Sequence, residues 1–270
     1  MSSPYCGSQN RLLDVLSAAE FLRLSASLES VSLRSGEILY ESGCRLPYVY
    51  FPVTAIISLA SILENGASAE LAVVGNEGMV GVALLMGGDT TPSRAVVSDA
   101  GHAYRLKGAL IKQEFNRGGP LLQWSLRYAQ ALITQMSQTA ACNRHHTVCQ
   151  RLCRRLLSSL DRCASNELPM THEQLSHMLG VRREGVTEAA GKLQKAGLIQ
   201  YHRGHMHVLD RHGLEARACE CYRVVKKEYD RLLPPGRKIN EHYEAPRRPA
   251  WREVLAKPPI HDHPPLASRN

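Results

Sequence analysis

Arg182, Arg183 and Glu184 are consecutive, and Thr187 and Glu188 follow one turn later if the stretch is helical. Guanidinium groups pair bidentately with the O6 and N7 edge of guanine, and a carboxylate accepts from the amino group of cytosine. At the first turn of an exposed helix these residue types suit the major groove of duplex DNA, where each base pair shows a distinct donor and acceptor pattern. His172 and Arg203 complete the set of candidate DNA contacts. The plainer alternative is a small helical subdomain with a solvated charged face.

Such a helix must be held by its neighbours. Thr171 precedes an apolar-periodic run and Gln174 lies three residues on, which reads as a capping box for a short helix. Leu175, Met178 and Leu179 form its buried stripe, and Gly180 ends it in a tight turn. A second helix is expected from about Arg183 to Lys195, with Val186, Ala189, Ala190 and Leu193 inward and Gly197 closing it. Two alternating runs, 198–202 and 205–209, flank Arg203-Gly204 and read as a β-hairpin. Helix, turn, helix and hairpin over Met170 to Asp210 make a winged helix-turn-helix.

This stretch resembles the DNA-binding domain of the Crp/Fnr superfamily of bacterial transcription regulators, most closely over Gly180-Val181-Arg182-Arg183-Glu184-Gly185-Val186. The resemblance reaches most of the chain to about residue 212, more weakly in the N-terminal half. It implies that Arg183 and Glu184 read guanine and the opposite-strand cytosine. Three positions depart from the family pattern. Arg182 stands where many members have a capping serine, Gly185 where a phosphate-contacting threonine is common, and Glu188 where well-known members have a second base-reading arginine. The family's usual target sequence therefore does not carry over.

Charge agrees with this placement. The chain has 270 residues and a formal net charge of +8. Residues 1–141 carry a net −1, residues 142–233 a net +6 and residues 234–270 a net +3. The excess sits with the helix-turn-helix, where phosphates would be met.

Upstream, residues 12–28 are helical in pattern, and from Ser30 the period shifts towards two. Short strands are expected around Ser35-Gly36, on either side of a bend at Pro52, after the Asn65-Gly66 turn, and over 94–106. Their spacing predicts a small antiparallel β-barrel or jelly roll, and the whole chain an α+β fold. By resemblance this barrel is a cyclic-nucleotide-binding-type sensory domain. Its phosphate cassette would correspond to the loop from Gly75 to Gly81 and to Ser93-Arg94-Ala95. Glu77, Gly78, Ser93 and Arg94 are the candidate ligand residues, through backbone N–H groups at a helix start and an arginine facing the phosphate. The order Ser93-Arg94 is reversed relative to the family, and one residue of displacement in a strand turns a side chain to the other face. A cyclic nucleotide is disfavoured on that ground, and a glycine loop that only closes the barrel is the alternative.

From Pro120 a long helix is expected, with Leu122, Leu126, Ala129, Ile133, Met136 and Ala140 in steps of four and three and Asn143 at the end. In the family the equivalent helix forms the dimer interface; an ordinary buried helix on the barrel is the alternative. A second helix, 143–161, has Val148, Leu152, Leu156, Leu157 and Leu160 inward, while Arg151, Arg154 and Arg155 make its other face basic, for solvent or for phosphate. A last helix is expected from Leu214 to Leu233, followed by a disordered, Pro-rich basic tail from Pro234. The expected units are the barrel at 1–118, the dimer helix at 119–143, the winged helix-turn-helix with its C-terminal helix at 144–233, and the tail at 234–270.

Other chemistry has little support. An iron–sulfur cluster on an N-terminal cysteine run is disfavoured, since only Cys6 lies near the N-terminus. Cys149 and Cys153, one turn apart near His145 and His146, read as small buried hydrophobes. Cys219 and Cys221 would face different sides of a helix, a poor chelate, so no metal site is assigned. Residues 31–106 hold one histidine, His102, too few for a metal oxygenase site in the barrel. No phosphate loop, nucleophile elbow or zinc-protease motif occurs, and no enzyme is expected. No secretory signal or membrane span is read, and the expected location is cytoplasmic with reduced thiols. Double-stranded DNA, a second copy of the chain and RNA polymerase are the expected partners, and a membrane is not. The competing reading is a barrel module for a small ligand or metal, with DNA binding incidental.

Overall fold

The computed structural model describes residues 9–163 and 165–233. The Pro-rich tail expected from Pro234 lies outside the described residues. The helical pattern over 12–28 resolves into a turn followed by a shorter helix, α1 (Ala18–Ser25), because Ser17 starts a new capping box with Glu20. Strands β1 (Glu29–Leu33), β2 (Ile38–Tyr40), β3 (Tyr48–Pro52), β4 (Ile56–Ile62), β5 (Ser68–Val74), β6 (Arg94–Asp99) and β7 (Gly101–Lys107) follow.

These strands form two antiparallel sheets of order β1-β7-β3 and β2-β6-β4-β5. The Asn65-Gly66 turn joins β4 to β5, with Gly66 at φ 80°. The residues flanking Ser35-Gly36 do not pair with each other. β1 joins β7 and β2 joins β6, so that turn crosses from sheet to sheet. Phe51, Ile57, Val97 and Leu106 fill the space between the sheets.

Helix α2 (Gly108–Asn116) closes the barrel, and α3 (Pro120–His145) packs along it with Leu121, Tyr128 and Leu132 in the barrel core. Gly119 sits at φ 118° before Pro120, which starts α3 with a preset φ. One face of α3 carries Leu121, Ser125, Tyr128, Leu132, Gln135, Thr139 and Cys142, all buried within the chain. The neighbouring seam is open only in part: Ala129 is buried, and Leu122 and Met136 are half-buried against the barrel core. Leu126 and Ile133 are each 54% exposed, and Ala140 and Asn143 are exposed too.

Helix α4 (Val148–Leu160) begins at a Thr147–Gln150 capping box, and a second core gathers around it. The winged unit contains β8 (Glu167–Leu168), α5 (His172–Leu179), α6 (Arg183–Lys195), β9 (Ile199–His202) and β10 (His205–Val208), with sheet order β8-β10-β9. The last expected helix is two. α7 (Arg211–Arg217) ends at Ala218, and α8 (Glu220–Leu232) restarts after Cys219. Ala218 and Cys219 are both extended, with ψ 152° and 164°, which breaks the helical ladder. α8 joins the two cores: Tyr222 packs into the winged core, while Tyr229, Leu232 and Leu233 pack into the barrel core.

Among the described residues no helix is long and apolar enough to cross a membrane.

Candidate nucleic-acid interface

The recognition geometry is built by local rules. The Thr171 side chain accepts from the Gln174 N–H and the Gln174 carboxamide accepts from the Thr171 N–H at 2.8 Å, fixing the start of α5. Gly180 ends α5 at φ 60°, ψ 43°, a left-handed conformation that glycine adopts without strain. α6 then starts with Arg182 as its cap residue, and no side chain accepts from its first N–H groups. This matches the replacement of a capping serine by arginine. Those open N–H groups and the helix dipole favour an anion there.

Val186, Ala189, Ala190 and Leu193 are buried, which turns the opposite face of α6 outward. Arg182, Arg183, Glu184, Thr187 and Glu188 are all exposed on it. Glu188 is paired with Lys192 at 2.8 Å. His172 is drawn into the same face. Its Nδ1 lies 3.0 Å from the Thr187 hydroxyl, and its ring stacks on Tyr201 with centroids 4.1 Å apart. Burial and the nearby Arg183 charge hold the His172 imidazole below its usual pKa. Tyr201 was not a sequence candidate; its place opposite His172 on β9 depends on the pairing register of the wing. At the wing tip Arg203 and Gly204 have φ 46° and 86°, the two positive values of a type I′ turn, and Arg203 is exposed.

The arginines of α4 are not a solvated or phosphate-facing row. Arg151, Arg154 and Arg155 are buried, as is Arg162 just past the helix. For Arg155 and Arg162 the reason is the acidic surface opposite. Arg155, 1% exposed, pairs with Glu70 of β5 at 2.9 Å, and Arg162 pairs with Glu77 of the Gly75–Gly81 loop at 2.8 Å. Burial raises the pKa of the neighbouring Asp99, against the pull of Arg155. Arg154 donates to Thr139 of α3 at 3.2 Å, and Arg151 to the Leu179 carbonyl of α5. Part of the basic excess of residues 142–233 therefore holds the winged unit to the barrel.

The four candidate ligand residues are not brought together. Glu77 is taken by Arg162. A Cβ on Gly78 would lie 2.1 Å from the Tyr128 ring, so α3 closes over the loop where a phosphate would enter. Ser93 lines a cavity of about 250 Å³ between the β-sheet and α3, while Arg94 lies outside it and pairs with Glu41 at 2.7 Å. This follows from strand alternation: Ala95 and Val97 are inward, Arg94 and Val96 are not. The cavity is lined by apolar side chains with the hydroxyls of Tyr40, Thr91 and Ser93, and no cation reaches it. These residues do not fit a cyclic phosphate.

Cys149 and Cys153 are the small hydrophobes expected: Cys153 lies in the winged core and Cys149 packs beside it. The other cysteine pair departs from expectation. Cys219 and Cys221 do not face opposite sides of one helix, because the break at Ala218-Cys219 puts Cys219 before α8. Their thiols meet Cys142 and His146 in one cluster.

Two family models match the chain. The cyclic nucleotide-binding domain covers residues 30–117 and the Crp-like helix-turn-helix domain residues 150–217. No sequence among curated proteins matches significantly. Similar solved structures include a protein described as a transcriptional regulator of the crp/fnr family from Eubacterium rectale, at 17% identity and a TM-score of 0.63, with 78% of this chain and 99% of that one covered. FixK2 from Bradyrhizobium japonicum is 16% identical with a TM-score of 0.61, over 71% of this chain and 98% of its own. The c-di-GMP responsive global regulator CLP of Xanthomonas campestris is 15% identical with a TM-score of 0.58, over 72% of this chain and 100% of its own.

Proposed function

The chain belongs to the Crp/Fnr superfamily of transcription regulators, and from that premise we propose that it binds a palindromic duplex site as a homodimer under control of a signal sensed by the barrel. One observation carries the reading: α6 buries its entire apolar face and leaves Arg182, Arg183, Glu184, Thr187 and Glu188 in one exposed row at its N-terminal half. Arg183 and Glu184 read base edges, while Arg182 and Arg203 meet phosphate. His172 holds Thr187 in place, and Tyr201 holds His172.

The partly open seam of α3 supports pairing with a second copy. Along it Leu126, Ile133 and Ala140 are exposed, while Leu122 and Met136 pack partly on the barrel core and Ala129 is buried. Two copies joined there would present two recognition helices about one helical turn of DNA apart. The signal would act on the Arg155–Glu70 and Arg162–Glu77 contacts, which tie barrel to winged unit. A ligand shifts that arrangement only by binding its two states with different affinity. Contact with RNA polymerase and a cytoplasmic location belong to the same proposal.

Selection from a random duplex pool tests it. A two-fold symmetric motif should emerge, with affinity for it far above that for random duplex at the same salt concentration. Equal affinity for both would leave DNA binding incidental to a ligand-binding barrel.

A further inference from the structure

Four potential metal ligands converge where α3 ends and α8 begins. Cys142 Sγ lies 3.5 Å from Cys219 Sγ, and Cys221 Sγ lies 3.7 Å from His146 Nδ1. All four ligand atoms fall within 4.8 Å of one another. For a tetrahedral ion with metal–sulfur bonds of about 2.3 Å and metal–nitrogen bonds of about 2.05 Å, neighbouring sulfurs stand about 3.8 Å apart and sulfur and nitrogen about 3.6 Å. The observed spacing is that of ligands around a single ion. Ligands around an iron–sulfur cluster stand farther apart, since the cluster itself separates them.

Ordinary thiol packing does not account for the group. Cys142, Cys219 and Cys221 are buried, yet they form a small cluster of their own, apart from both hydrophobic cores. The His146 ring turns Nδ1 toward Cys221 and Nε2 toward the Glu220 carboxylate at 3.3 Å. A carboxylate on Nε2–H fixes the tautomer that leaves the Nδ1 lone pair for a metal. The backbone N–H of Cys221 is directed at the Cys219 sulfur. The backbone break at Ala218-Cys219 makes this possible, because Cys219 as the cap residue and Cys221 in the first turn of α8 can face the same point.

We propose that Cys142, His146, Cys219 and Cys221 bind one Zn²⁺ in a closed tetrahedral site. With four protein ligands there is no open position for water or substrate, so the role is structural. The site fastens three segments: the last turn of α3, the elbow leading into α4, and the start of α8. That elbow sets the pose of the winged unit relative to the α3 seam. The site stands independently of DNA binding, which is read by a different assay.

The test uses the full chain purified under reducing conditions. Elemental analysis should find one zinc per chain. After exchange with Co²⁺, the visible spectrum should show the intense bands of tetrahedral thiolate coordination and a sulfur-to-cobalt charge-transfer band. Cys142→Ser and Cys219→Ser should each lose the metal and these bands, while Cys44→Ser, at an exposed thiol elsewhere, keeps them. In case either serine variant fails to fold, a chelator added to the unaltered chain gives a second readout. Metal should leave with a lowered melting temperature, and zinc should restore it. A folded chain that holds no zinc and develops no thiolate–cobalt band overturns the proposal. So does a cobalt spectrum unchanged in Cys142→Ser, or a Cys142–Cys219 disulfide in the chain as isolated.

Discussion

The Glu77 carboxylate and the Arg162 guanidinium meet at 2.8 Å, both buried, across the boundary between the barrel and the winged unit. The residue that the cassette resemblance would assign to a ligand is thus bound to the DNA-binding half of the same chain. Removing one partner strands a buried charge, at a cost of about 3–5 kcal/mol, whereas replacing both by apolar groups costs much less. Arg162→Met and Glu77→Leu should therefore each lower stability in urea unfolding by that order, and the double substitution should recover most of the loss. Additive losses would mean that the two groups do not depend on each other.

Arg183 and Arg182 are both exposed at the start of α6 but should differ in effect. Arg183→Ala should relax preference at one position of each half-site, costing about 1–3 kcal/mol on the selected sequence and far less on random duplex. Arg182→Ala should weaken both alike and lower the salt dependence. Equal losses for Arg183→Ala on both duplexes would reduce Arg183 to a phosphate contact.

The winged unit was legible because its signals are local. The Thr171–Gln174 cap, the left-handed Gly180 and the stripe through Val186 and Leu193 each act within a few residues. The Asn65-Gly66 turn and the opposite facing of Arg94 were legible for the same reason. What the sequence concealed is long-range. Periodicity shows that Arg151, Arg154 and Arg155 are off the apolar stripe of α4, but not that a carboxylate of the barrel, a hydroxyl of α3 and a carbonyl of α5 lie across from them. The break before Cys219 carries no proline or glycine at Ala218-Cys219, so a continuous helix and a scattered cysteine pair were the natural reading.

The α3 seam can be tested without disturbing the core. Leu126 and Ile133 are exposed, so Leu126→Glu with Ile133→Glu should leave the single chain folded. Two acidic side chains per copy would face their counterparts across a C2 interface. Sedimentation should then report monomers, with DNA affinity sharply reduced since each monomer holds one half-site. A stable dimer after both changes would remove the seam from the interface. Met136 is a poorer target, because it is half-buried and packs against the barrel core.

His172 should make stability pH-dependent. Its imidazole is held below the ordinary value of 6.5, first by burial and then by the Arg183 charge; Thr187 and Tyr201 are the polar groups packed on it. The unfolded chain takes up a proton near 6.5 while the folded chain resists until a lower pH. The stabilising difference is thus fully present above 6.5 and is lost as pH falls from 6.5 toward the folded value. Duplex DNA would oppose this loss, because phosphates at the α6 N-terminus favour the imidazolium. Melting temperatures on either side of this window should fall more steeply on acidification for the unaltered chain than for His172→Gln, and bound duplex should narrow the gap. Identical slopes with and without His172 would place the acid sensitivity elsewhere.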